Sequence, residues 1–318
     1  MNKILISLKN FHHRLWDKLP NRRKIIQLFC ALLYNANLKG FVTGNIYKGA
    51  SKAFCVPGMN CYSCPGAIGA CPLGSLQNAL AGAKTKTIFY VLGIILLYGI
   101  LFGRTICGWL CPFGLIQDLL YKIKTFKIKK GKWTYYLSKF KYVLLLGLVI
   151  VLPLVYGFQN IAVPAFCKYI CPVGTLEGAY GLILNSNNVS FLGMLGSLFT
   201  WKSVILVFLL VMSVLMFRPF CRFICPLGAI YSLFAKLNLV GIRVNEDKCT
   251  KCGICTKNCL MDVKKVGDGE CIQCGQCIPG CIAKAIYFKA GFAYINPGYS
   301  KAAIQAVDEE EKKNENQL

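Results

Sequence analysis

The chain has 318 residues, enough for two domains, and 55% of them are hydrophobic, with a mean hydropathy of +0.50. That is too apolar for an ordinary soluble protein and points first to membrane spans. The net charge of +24 invites a nucleic-acid partner, but its placement argues against one: residues 1–240 hold 26 of the 37 Lys and Arg and only three acids, Asp17, Asp118 and Glu177. Basic loops between apolar runs give that distribution, whereas a nucleic-acid face needs a folded basic surface.

In chain order, residues 1–24 form a basic N-terminus, followed by a weakly apolar first span over 25–38, interrupted by Gln27, Asn35 and Asn37. The basic lead is long and no small-x-small site follows, so a span is expected rather than a cleaved signal. Residues 45–86 carry Cys55, Cys61, Cys64 and Cys71, with Pro65 and Pro72. Further spans are expected at 87–102, 142–158 and 204–217, each followed by a C-x3-C-P turn: Cys107/Cys111, Cys167/Cys171 and Cys221/Cys225. The mixed stretch 182–201 reads as interfacial or re-entrant. The spans are slightly short for a hydrocarbon core of about 30 Å, as expected if cysteine turns dip into its ends, sheltered by protein. Residues 240–290 form a separate cysteine-rich domain, and 291–318 a charged, disordered tail. The expected fold is therefore a mostly α membrane protein of about four spans plus a small α+β domain.

Charge then sets topology. The lysine-rich stretch 122–141 is the most basic and reads as cytoplasmic. Cys107, Cys111, Cys221, Cys225 and the C-terminal domain fall on that inner side, together with both termini. Cys55 to Cys71 and Cys167/Cys171 fall outside.

The strongest chemical signal is C-x2-C-x2-C-x3-C at Cys249, Cys252, Cys255 and Cys259, repeated at Cys271, Cys274, Cys277 and Cys281. Three cysteines at two-residue intervals can surround one iron–sulfur cubane, and in the bacterial two-cluster arrangement the fourth ligates the other cluster. Cys249, Cys252, Cys255 and Cys281 then hold one [4Fe-4S] cluster; Cys271, Cys274, Cys277 and Cys259 hold the second. Zinc would favour two C-x2-C knuckles across a longer spacer. Gly253 and Gly275 sit where each loop must turn tightly.

The membrane part contains a diverged repeat: Cys107-Gly-Trp-Leu-Cys111-Pro-Phe-Gly matches Cys221-Arg-Phe-Ile-Cys225-Pro-Leu-Gly, and Cys71-Pro-Leu-Gly matches Cys171-Pro-Val-Gly. Cys107, Cys111, Cys221 and Cys225 supply the four thiolates of a third cubane. Outside, Cys167 and Cys171 can combine with Cys71 and either Cys64 or Cys61 for a fourth. The Cys-Pro at Cys64 favours it, leaving Cys55 and Cys61 over. Disulfides or a thiol-redox role are the alternatives on that face. Cys30 reads as a plain buried thiol. Arg104, Lys168, Arg218, Arg222, Lys248 and Lys251 adjoin ligand candidates, where positive charge offsets an anionic cluster, or else anchor the membrane interface.

Residues 240–289 resemble bacterial dicluster ferredoxins, which implies a small βαββαβ-like module. Over about 22–289, through the C-x3-C-P turns and the ferredoxin quartets, the chain resembles the membrane-bound polyferredoxin group that includes NapH, the iron–sulfur half of NosR and CcoG-like proteins. The resemblance implies single-electron transfer between a cytosolic donor or the quinone pool and a partner oxidoreductase. Its expected partners are membrane lipid, ferredoxin, flavoprotein or reductase, and a quinone as a further candidate; no nucleic acid is expected. Two rival readings are quinol oxidation, with Glu177 as a weak candidate base, and a metal- or thiol-reducing assembly factor. Departures from the group are the absent flavin domain of NosR and the additional Cys55–Cys71 and Cys167/Cys171 sets.

Overall fold

The computed structural model describes residues 19–291 and 293–295, apart from 83–84, 160, 186–187, 189–192 and 194. The N-terminal residues 1–18, most of the expected tail and part of the stretch read as re-entrant lie outside the described residues. The first helices are α1 (Leu19–Tyr34), α2 (Leu38–Thr43), α3 (Pro72–Ala81) and α4 (Thr85–Leu101). A short α5 (Thr105–Trp109) leads into α6 (Pro112–Leu120). The long α7 (Lys132–Phe158) is π-wound over Leu145–Val151. Then come α8 (Ala165–Tyr169), a π turn α9 (Gly174–Tyr180), α10 (Ser197–Leu215), a π turn α11 (Phe220–Ile224) and α12 (Pro226–Leu233).

Among the described residues two helices, α7 with 27 residues and α10 with 19, are long and apolar enough to cross a membrane. The 17 residues of α4 are as apolar but fall just short. Their outward faces carry Phe89, Leu97, Val143, Leu146, Val207 and Phe208, all exposed. An apolar belt of that size is stable against lipid and not against water. The helix at the expected first span differs in kind: α1 begins at Leu19 and its Arg23 is buried against Asp118 of α6 at 2.6 Å.

The C-terminal part contains β1 (Val240–Val244), a one-turn helix α13 (Ile254–Lys257), β2 (Ile286–Ala290) and β3 (Ala293–Ile295). β1 and β2 run antiparallel with Val240 opposite Ala290 and Val244 opposite Ile286, and β3 adds beyond β2. Compared with the expected βαββαβ module, the described residues between α13 and β2 form cysteine-bearing loops rather than a second strand pair. Gly253 and Gly275 adopt φ of 74° and 81°, the left-handed turn that only glycine enters without strain.

This part does not hang on a linker. Gly108 of α5 lies so close to the loop of residues 270–274 that a Cβ there would stand 2.2 Å from the Ile272 carbonyl oxygen. The Trp109 indole donates to the Gln273 carbonyl at 2.8 Å and packs edge-on against Phe288. Glu270 accepts from Arg104 at 3.2 Å and from Lys141, both fully buried, and Asp262 pairs with Arg222 at 2.6 Å. Burial pushes the Glu270 carboxyl up, but Arg104 and Lys141 overcome this and hold it below the usual carboxylate range.

Replacing Glu270 by Gln strands two buried cations, a loss of about 3–5 kcal/mol for a broken buried pair. The expected outcome is a lower Tm together with faster hydrogen exchange in 105–109 and 269–275, measured by mass spectrometry.

Candidate metal centres

The four C-P-x-G sequences fold alike for a simple reason. Proline has no N–H to lose and suits the first helical position, so the cysteine before it becomes the helix cap. Cys71, Cys111 and Cys225 cap α3, α6 and α12 with extended backbones, at ψ of 128°, 119° and 109°. The third-position glycine then turns its free amide back onto the sulfur: Gly228 donates to Cys225 Sγ at 3.3 Å and Gly174 to Cys171 Sγ at 3.4 Å. Gly74 and Gly114 do the same for Cys71 and Cys111. Unpaired first-turn amides at the positive end of a helix favour an anionic sulfur.

On one side, Cys107, Cys111, Cys221 and Cys225 line a small, largely enclosed space walled otherwise by apolar side chains including Phe113 and Phe220. All four are buried. Among the described residues no three His, Cys, Asp or Glu side chains converge closely enough to grip a single metal ion. Four thiols on two C-x3-C-P turns match the four thiolates that a [4Fe-4S] cluster takes, which need not converge on one ion. All nineteen cysteines are free of disulfides. Burial, then the neighbouring Cys221 and Cys107, push the Cys111 thiol up to about 12, so iron must displace protons when it binds.

Charge supports the fit. Arg104, Arg218 and Arg222 are buried rather than interfacial. Arg218 forks onto Asp118 at 2.6 and 2.7 Å and reaches the Cys107 carbonyl. Counting Arg23 and Lys141, five buried cations face the three carboxylates of Asp118, Asp262 and Glu270. The surplus is positive, and an anionic iron–sulfur thiolate centre would supply the missing negative charge.

The second set lines a larger space of about 810 Å³, partly open to solvent, with Cys61, Cys71, Cys167 and Cys171 on its wall. The expectation favouring Cys64 over Cys61 differs from this arrangement. Cys64 points its thiol at Asn35 Oδ1, 3.4 Å away, and is not on the wall. Cys61 and Cys171 both come within 3.8 Å of a Cβ placed on Gly174. Pro65 misled because it opens no helix, so Cys64 is not a cap of the Cys-Pro type. Cys55 is buried on the same wall, beside Ser75. Lys168 is exposed against Tyr169; the cation at this site is Lys202, which donates to the Cys167 carbonyl at 3.2 Å.

Gln77, Gln117 and Tyr231, all missed in the sequence, and Glu177, singled out there only as a candidate base, stand six positions after the four capping cysteines. Gln117 donates to Cys221 Sγ at 3.1 Å and accepts from the Phe220 amide; Gln77 does the same for Cys167 and Phe166, at 3.4 and 2.9 Å. Glu177 accepts from the Cys61 amide at 2.9 Å, and Tyr231 donates to the Pro57 carbonyl at 2.8 Å. Extending the repeat alignment by one helical turn would have found them.

In the C-terminal part, Cys259 lies near Cys271, Cys274 and Cys277, and Cys255 near Cys252 and Cys281. The group with Cys271 sits on the membrane part, whereas Cys252 is exposed.

The "4Fe-4S binding domain" family model matches three stretches, 85–132, 142–186 and 197–243, each an apolar helix with its cysteine turn. An uncharacterised protein of Methanocaldococcus jannaschii is 30% identical over 196 residues, covering 61% of this chain and 74% of the relative. The methylamine utilization ferredoxin-type protein MauN of Paracoccus denitrificans is 31% identical over 189 residues, 58% of each. YccM, an Escherichia coli K12 protein named for electron transport, is 28% identical over 191 residues, 58% of this chain and 48% of its own. The chain thus spans only about half to three fifths of these two named relatives. No solved structure matches.

Glu177→Gln keeps an acceptor for the Cys61 amide and should retain full iron content. Glu177→Ala should lose about four irons per chain, one cubane's worth, as read by iron and acid-labile sulfide analysis.

Proposed function

The chain belongs to the family of 4Fe-4S-binding, ferredoxin-type electron-transport proteins, and on that premise we propose that it is a membrane-embedded carrier of single electrons with four cluster sites. The carrying observation is the largely enclosed four-cysteine space with its surplus of buried positive charge, joined in one core to the loop of Cys271. A [4Fe-4S] centre supplies a one-electron couple whose potential depends on charge and on hydrogen bonds to sulfur.

The chain's own residues do the rest. Cys107, Cys111, Cys221 and Cys225 would hold one centre, and Cys61, Cys71, Cys167 and Cys171 another. Cys249, Cys252, Cys255 and Cys281, and Cys259, Cys271, Cys274 and Cys277, would hold the C-terminal pair. Arg104, Arg218 and Arg222 stabilise negative charge in the core, and Ile106, Phe113 and Leu227 exclude water from it. The helices α1, α4, α7 and α10 serve as the membrane-embedded elements, with the lysine-rich segment and the C-terminal part cytoplasmic by the positive-inside rule.

A soluble partner meets the Cys252 end. Lys248, Lys251 and Lys257 are exposed there, with exposed Ile254 and Ile282 on the loops of the same quartet. That combination suits an acidic one-electron carrier of ferredoxin or flavoprotein type. A quinol as donor is the second reading, favoured by the size and openness of the Cys61/Cys71 space. Glu177 is already engaged at the Cys61 amide, so the quinol reading does not rest on it.

The test is proteoliposomes with trapped ferricyanide and dithionite outside. Ferricyanide should bleach only where the chain is present, and Cys221→Ser should return the rate to background. Bleaching unchanged by that substitution would remove the transmembrane reading.

A further inference from the structure

The positive-inside reading sets Cys111 and Cys71 on opposite faces of a membrane. In the structure one short segment, Pro57–Asn60, touches both of their sites. Met59 is buried and lines both spaces. Its amide N–H is directed at the Cys111 sulfur. The next amide along, Asn60, is directed at the Cys71 sulfur. The Met59 thioether also lies 3.8 Å from Cys71 Sγ. Two consecutive amides thus address two different metal sites. Their Cα atoms are about 3.8 Å apart, the length of one trans peptide unit.

The segment is held from every side. A Cβ on Gly58 would stand 3.3 Å from the Cys111 Cα. Tyr231, fully buried on the wall of the first space, donates to the Pro57 carbonyl at 2.8 Å, and Tyr98 donates to the Cys55 carbonyl at 2.8 Å. The Asn60 side chain, fully buried, accepts from Asn35 at 3.1 Å and donates to Tyr34 and Gly69 carbonyls at 3.4 Å. Val56 and Ala70 close the base of the loop, at 2.9 Å. Such over-determination of four residues with no charge among them is unusual for a surface loop, which ordinarily runs free and exposed.

We propose that the Met59–Asn60 peptide is the partition and the electronic bridge between the two membrane-domain cluster sites, which are neighbours in the protein core. The covalent path through Gly58 and Met59, from the backbone packed on Cys111 to the Met59 thioether 3.8 Å from Cys71 Sγ, with the Met59 and Asn60 amides facing the two sulfurs, links Cys111 to Cys71. Met59 and Asn60 are positioning residues: they touch ligand sulfurs and fix the gap between the sites. The distance an electron must cross there is then set by one peptide and not by a bilayer of about 30 Å. N–H···S bonding also lets this segment tune both potentials at once.

The inference rests on the cluster assignments above, and its test separates the two. The full chain, reduced anaerobically, is compared by EPR and iron analysis with a Cys71→Ser/Cys167→Ser variant. The expected result is a loss of about four irons together with loss of spin–spin splitting and slower relaxation in the remaining membrane-domain signal. Loss of the irons with that signal unchanged would overturn the bridge while leaving the assignments standing. Iron content unchanged by the variant would overturn the assignment of the second site, and the bridge with it. If the variant is not recovered, relaxation enhancement between reduced centres in the unmodified chain gives the same distance. Met59→Pro, which removes the amide donor, should lower the potential of the Cys111 centre relative to Met59→Leu; equal potentials would deny Met59 its role.

Discussion

Guanidinium groups do not stay in an apolar core without counter-charge, and this chain buries three of them around four cysteines. Arg104, Arg218 and Arg222 are each bound to a carboxylate, and those carboxylates come from α6 and from the C-terminal loops. Removing either partner leaves a buried charge unpaired, which costs more than the pair gains by forming. The pairs therefore fix how α5, α6, α11 and the loop of Glu270 meet. Because Glu270 precedes Cys271 and Arg104 stands three residues before Cys107, the same contacts that satisfy charge set one metal site against the next.

The Cys-Pro-x-Gly turn is the second constraint, and it is local. Proline starts a helix, the cysteine before it becomes the cap, and a glycine amide returns to the sulfur. Repeated four times, it gives four sulfurs that differ little in their immediate surroundings. The position six residues on then differentiates them. Gln77 and Gln117 each steady the partner cysteine hairpin, whereas Glu177 and Tyr231 reach the segment between Cys55 and Cys61. A common helical turn thus supports two related sites through different tips.

Much of this was legible in the sequence, where spacing carries the chemistry. The repeated C-x2-C-x2-C-x3-C and the C-x3-C-P turns point to iron–sulfur sites because those intervals fix sulfur positions through local backbone geometry. Apolar runs located α4 to within two residues at each end and the C-terminal ends of α7 and α10 equally well, whereas α7 starts ten residues and α10 seven residues earlier than expected, where Lys132, Lys139 and Lys141, and Thr200, Lys202 and Ser203, interrupt the apolar pattern. The charged role of Arg104, Arg218 and Arg222 was readable only as proximity to cysteine. Their partners Asp118, Asp262 and Glu270 lie 40 to 166 positions away, and no local pattern announces them. The preference for Cys64 differs from the structure's placement of Cys61 on the wall for a related reason: a Cys-Pro pair marks a capping cysteine only when a helix follows it. Charge asymmetry between loops speaks of sides of a membrane and is silent on how deeply a cysteine loop returns into the protein, which is why the contact of Met59 with both spaces could not be foreseen.

The central claim is that four separate iron centres occupy one chain, two of them in the membrane part. Diffraction from crystals of the anaerobically purified protein, with anomalous maps calculated at the iron edge, tests it most directly. The account predicts four anomalous centres per chain, one enclosed by Cys107, Cys111, Cys221 and Cys225 and one beside Cys61, Cys71, Cys167 and Cys171. Two centres only, both within the loops of Cys249 to Cys281, would contradict it and leave a ferredoxin held on a membrane anchor.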